Sequence, residues 1–137
     1  MYVADATLSQ GTDFKWMIDD EGSVEIRRRF ANGQEVINSY ASTELDRLHF
    51  SVSEHDWVAL ANNVEKLNHG TEQQGIGKFI KEELGKSVLD AQGASQLAAI
   101  FVKSGAWQDN GLKRGIAFRR LREDWQSRLR SYFEQKR

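Results

Sequence analysis

Phe14, Trp16 and Ile18 alternate with more polar neighbours, the period of a half-buried strand. Asp20-Glu21-Gly22-Ser23 supplies a turn, after which Val24, Ile26, Arg28 and Phe30 alternate in turn. Asn32-Gly33 is the strongest short hairpin signal in the chain, because both residues tolerate the positive φ that a tight two-residue turn demands. A third strand is predicted over 35–41, and Leu48, Phe50 and Val52 at period two predict a fourth. Four consecutive strands with tight turns predict an antiparallel meander, apolar on one face and polar on the other.

From Ser53 the period becomes helical. Ser53 is placed to cap, Glu54 and Asp56 favour a helix start, and Trp57, Leu60, Ala61, Val64 and Leu67 form one apolar stripe that Gly70 ends. Ile76, Phe79, Ile80 and Leu84 predict a second helical face, stopped at Gly85, and Ser87 predicts the cap of a short turn through Ala91. Ala94, Leu97, Ala98, Phe101 and Val102 predict a buried helix ended by Gly105. Asp109-Asn110-Gly111 then turns a hairpin whose return arm spans 115–121, and Trp125, Leu129, Tyr132 and Phe133 mark a last helix over about 123–135. Strands first and helices afterwards predict an α+β fold. The expected architecture is a four-stranded antiparallel meander plus helix over 1–70, then a winged-helix-like region over 71–137 with a small hairpin and a C-terminal helix, the two packed as one unit.

The chain has 137 residues and four tryptophans, enough for a core of its own. It lacks cysteine, which excludes disulfides, thiolate metal sites and cysteine nucleophiles. The amino terminus lacks the charged-then-apolar order of a secretory signal, and no apolar run reaches the roughly 20 residues of a membrane span. A cytoplasmic protein without membrane contact is expected. Net charge is −1, yet residues 1–75 carry 13 Asp/Glu against 6 Lys/Arg while residues 76–137 carry 7 against 13. Such asymmetry suits a polyanion site on the basic half, or two poles that attract each other.

The basic half concentrates the candidate chemistry between Ala94 and Arg122. If the apolar stripe of that helix faces the core, Ser95, Gln96, Ala99 and Lys103 face outward, with Gln96 able to hydrogen-bond a base edge. Lys113, Arg114, Arg119, Arg120 and Arg122 on the hairpin are the expected phosphate contacts. The expectation is a small non-enzymatic DNA- or RNA-binding protein, a transcriptional or phage-related regulator, with a homodimer compatible. Ala91 and Gly93 sit two apart, whereas a standard helix-turn-helix separates its alanine and glycine by about four, so the wing arginines carry this reading. The alternative is a protein-interaction module, an inhibitor or accessory subunit, docking through Asp19, Asp20 and Glu21 of the acidic half.

Arg27-Arg28-Arg29 alternates across a strand, so Arg27 and Arg29 share one face and Arg28 the other. The four meander strands and the following stretch Ser51-Val-Ser-Glu-His-Asp-Trp57-Val-Ala-Leu60 together resemble the positive-cofactor-four family of single-stranded-DNA-binding transcriptional coactivators, over residues 16–67. The resemblance implies a sheet face for nucleic acid, to which Arg27 or Arg29 belongs, and a helix for dimerisation packed through Trp57 and Leu60. The family's lysine- and glycine-rich lead into its last strand is here Thr43-Glu-Leu-Asp-Arg47.

No catalytic constellation is expected. His49, His55 and His69 lack paired metal-ligand spacing, and no metal or cofactor is implied. Gln74-Gly75-Ile-Gly77-Lys78 lacks the four-residue insert and the Ser/Thr of a phosphate loop.

Overall fold

The computed structural model describes residues 1–137, and the chain is α+β as the periodicity predicts. Strands β1 (Val3–Ala6), β2 (Asp13–Ile18), β3 (Val24–Arg29) and β4 (Glu35–Tyr40) pair antiparallel in sequential order. Phe14, Trp16, Ile18, Val24, Ile26 and Tyr40 all point to one buried face. The meander therefore has four strands, but not the expected four. β1 is an addition, and two of the three inward positions of its segment, Asp5 and Thr7, are polar.

The segment expected as the last strand is instead the end of helix α1 (Ser42–Ser51). Leu45, Leu48 and Val52 are all fully buried, so the helical spacing wins once Leu45 is included. Glu44 Oε1 accepts from the Ala41 amide at 2.8 Å and secures the helix start. The helix expected from Ser53 does not form there. Ser53 Oγ accepts from the His55 and Asp56 amides, both at 3.0 Å, and closes a bend. Val58–Ala59 then forms the short strand β5, pairing with Phe118 and Ala117, and Trp57 is left 44% exposed. Only α2 (Val64–His69) of the expected long helix exists, capped by Asn63 Oδ1. The stretch that carried the family resemblance is thus a helix end, a bend and a strand.

The rest follows the predicted order. α3 (Ile76–Lys78) widens into a π-helical turn over Phe79–Glu83, and α4 (Val88–Gln92) begins at the Ser87 cap. α5 (Ala94–Lys103), strands β6 (Trp107–Asp109) and β7 (Ala117–Arg120), and α6 (Trp125–Lys136) complete the chain. β5, β7 and β6 form a second, three-stranded sheet with β7 in the middle.

One core draws on both halves. Tyr132 and Phe133 of α6 pack on Trp16, while Phe101, Trp107, Phe118 and Trp125 form an aromatic cluster around His49. Polar ties reinforce the join. Arg28 donates to Asn38 Oδ1 at 2.7 Å and to the Leu89 carbonyl at 2.9 Å, and Tyr40 donates to the Asp90 carbonyl at 2.6 Å. No helix is long and apolar enough to cross a membrane.

Candidate nucleic-acid interface

β7 presents alternate residues to opposite sides. Phe118 goes to the core, and Arg119 goes to the outer face of the small sheet. Register places Gln108 of β6 directly opposite Arg119, and the β5 ladder, extended by one residue, brings Trp57 to its other side. The Arg119 guanidinium lies over the Trp57 ring at 4.0 Å and donates to Gln108 Oε1 at 3.0 Å. This row has no carboxylate within ion-pair distance of Arg119. Leu121, 51% exposed, follows two residues on; Lys113 and Arg114 in the turn before β7, and Arg122 beyond its end, are exposed without ion pairs.

Arg120 takes the other side of the strand and is neutralised. Its guanidinium meets Glu54 at 3.5 Å and Glu123 at 3.7 Å, donates to the Val52 carbonyl at 3.1 Å, and covers Phe50. It closes the junction between α1 and β7 and leaves little charge for a ligand.

The outward polar face expected of α5 is absent. Ala99 is fully buried, Gln96 is 8% exposed, and Ser95 Oγ accepts from Asn62 Nδ2 at 3.0 Å. Lys103 Nζ lies 2.7 Å from Asp5 Oδ1 and 2.7 Å from the Ala6 carbonyl, tying α5 to β1. The physical reason lies in other elements: the 59–63 segment and the β1–β2 loop flank this end of α5 as the walls of a cleft, with Asn62 bonded to Ser95, a setting that the helix's own periodicity does not encode. No helix face is free here to enter a groove.

Three of the expected residues nevertheless meet. Ser95, Gln96 and Lys113 line one polar cleft of about 570 Å³, with Asn62, Lys66 and Glu72 from the chain around α2. Arg27 and Arg29 do project from the open face of the four-stranded sheet, where both approach Glu35 at 3.9 Å. In the acidic turn, Asp19 Oδ1 accepts from the Glu21 and Ser23 amides, so this carboxylate is engaged within its own turn.

Trp57 is the surface residue that sequence reasoning missed. An aromatic at helical spacing with Leu60, Ala61 and Val64 reads as core, and only the pairing of β5 with distant β7 reverses that. No three His, Asp or Glu side chains are gathered to hold a metal ion. Comparison with protein-family models, curated proteins and solved structures gives no match.

Proposed function

We propose that this protein binds single-stranded nucleic acid on the outer face of its small sheet. The observation that supports the reading most is the exposed Arg119–Trp57 stack, a flat aromatic surface with a guanidinium already held against it. Such a pair offers a base one π-face and a nearby cation, which is how sequence-tolerant single-strand sites obtain about 1–3 kcal/mol per stacked base. Lys113, Arg114 and Arg122 would hold phosphates on either side, and exposed Leu121 would contact sugar or base. Single strands are favoured over duplex because α5, the one helix beside the hairpin with a candidate reading face, is enclosed.

Competition by fluorescence anisotropy tests the proposal. A labelled single-stranded oligonucleotide should bind, and unlabelled duplex of the same length should displace it poorly. Arg119→Ala combined with Arg114→Ala should weaken binding to all sequences alike. Equal binding of duplex and single strand, or an unchanged affinity in the double variant, would refute it.

A further inference from the structure

We propose that the cleft between α5, α2 and the hairpin is a second site, for a sugar phosphate, which shares only Lys113 with the proposed strand-binding face. Its volume of about 570 Å³ falls in the range of small-molecule sites, and its walls come from five separate stretches of chain. Two enclosed polar side chains line it. Gln96 is 8% exposed, and its Oε1 is buried beside the cleft with no hydrogen-bond partner, an unmet polar demand at the wall. Glu72 is 5% exposed, with one oxygen accepting from the Asn63 amide at 2.9 Å and the other from the Gln73 amide at 2.8 Å. Each of its oxygens keeps a lone pair free.

The wall itself is built under constraint. Ala61 adopts φ +51°, an uncommon conformation for a residue with a side chain. Behind it, a Cβ at Gly75 would collide with the Ala59 carbonyl oxygen, and one at Gly77 with the Ala61 carbonyl oxygen. The 59–62 segment is therefore braced from behind by two glycines that must lack side chains.

The chemistry selects the ligand class. The enclosed Glu72 carboxylate and Gln96 amide call for hydroxyl groups, and Thr7, Thr12 and Ser95 add hydroxyls that can accept or donate. Lys66 and Lys113 line the same cleft without ion pairs, exceed the single Glu72 charge, and suit a phosphate. No aromatic ring lines the cleft, so nothing there stacks a nucleobase. A pentose or hexose phosphate fits this set, whether free or as the sugar–phosphate unit of a strand bound next door.

Nitrogen–proton correlation NMR with ribose 5-phosphate tests the site through amides of which only Lys113 also belongs to the proposed strand-binding face. Saturable shifts are expected at the Asn62, Ser95, Gln96 and Lys113 amides, with ribose alone and inorganic phosphate alone each binding about tenfold or more weaker. Lys66→Ala/Lys113→Ala, both exposed and free to fold, should weaken ribose 5-phosphate about tenfold or more. Gln96→Met, which keeps the volume, should weaken ribose and ribose 5-phosphate alike. A short oligonucleotide displaced from the cleft by ribose 5-phosphate identifies a strand as the source; one that shifts only the Trp57 surface identifies a free sugar phosphate. Absence of saturable shifts at the cleft, or equal affinity in the double-lysine variant, would overturn the proposal.

Discussion

Trp107 donates its indole N–H to His49 Nδ1 at 3.0 Å, which commits the ring's other nitrogen to donate to the Arg122 carbonyl at 2.6 Å. Only the neutral imidazole protonated on Nε2 satisfies both partners. The ring thereby fastens α1 to β6 and to the chain leaving β7, directly beneath the basic hairpin.

Acid should loosen this fastening. Burial pulls the His49 pKa down from 6.5 to about 4, outweighing the opposing hydrogen bond to Arg122. The unfolded chain then binds the proton more readily than the folded one between those values. Stability should be constant in this respect above about pH 6.5 and fall by on the order of 3 kcal/mol as pH drops towards 4. Urea midpoints measured across that window check it, and His49→Gln should flatten the slope. A midpoint that rises on acidification in this window contradicts the assignment.

Asp5 should titrate lower and separately. Burial raises its pKa, but donation from Lys103, Tyr132 and the Ala6 amide more than compensates, and the net direction is below the ordinary 3.8. Its contribution is present above that value and lost as pH falls beneath it. Asp5→Ala would strand Lys103, Tyr132 and the Trp16 indole, and should cost about 3 kcal/mol in chemical denaturation. Tyr132→Phe, which removes one donor, should cost about 1 kcal/mol.

Gly77→Ala should destabilise by about 1–3 kcal/mol, because the added methyl meets backbone rather than a movable side chain. Gly77 has ordinary negative-φ geometry open to any residue, so the effect is steric. Thermal unfolding should show a lower Tm.

Arg120→Ala and Arg119→Ala should separate cleanly. Arg120 joins Glu54, Glu123 and the Val52 carbonyl, so its removal should lower stability and leave the salt dependence of oligonucleotide binding nearly unchanged. Arg119 has no acidic partner, so its removal should reduce the logarithmic salt slope by about 0.7 while changing stability little.

Much of this molecule is legible in its sequence, for reasons tied to periodicity. β2, β3 and β4 alternate cleanly, α5 and α6 carry unbroken apolar stripes, and Asp109-Asn110-Gly111 marks its hairpin. β1 is hidden because Asp5 occupies an inward position, neutralised by Lys103 and Tyr132 far along the chain. Leu48 and Val52 satisfy period two and helical spacing equally, and the contest turns on Leu45, which packs only in the helix. In the candidate site, the exposed bases Lys113, Arg114 and Arg122 were visible from type and position alone. Trp57 was not, because β5 exists only through its pairing with β7, nearly sixty residues on. Gln96 and Lys103 looked free because their covers come from other elements.

Anisotropy of a labelled single-stranded oligonucleotide with wild-type protein and Trp57→Ala, over a salt series, bears most directly on the nucleic-acid reading. Wild-type affinity should fall with a logarithmic salt slope near −3, as about four phosphates meet Lys113, Arg114, Arg119 and Arg122. Trp57→Ala should weaken binding about tenfold or more at every salt concentration and leave the slope almost unchanged, because stacking carries no counterions. Binding that ignores both salt and Trp57, or no binding at low salt, would contradict it.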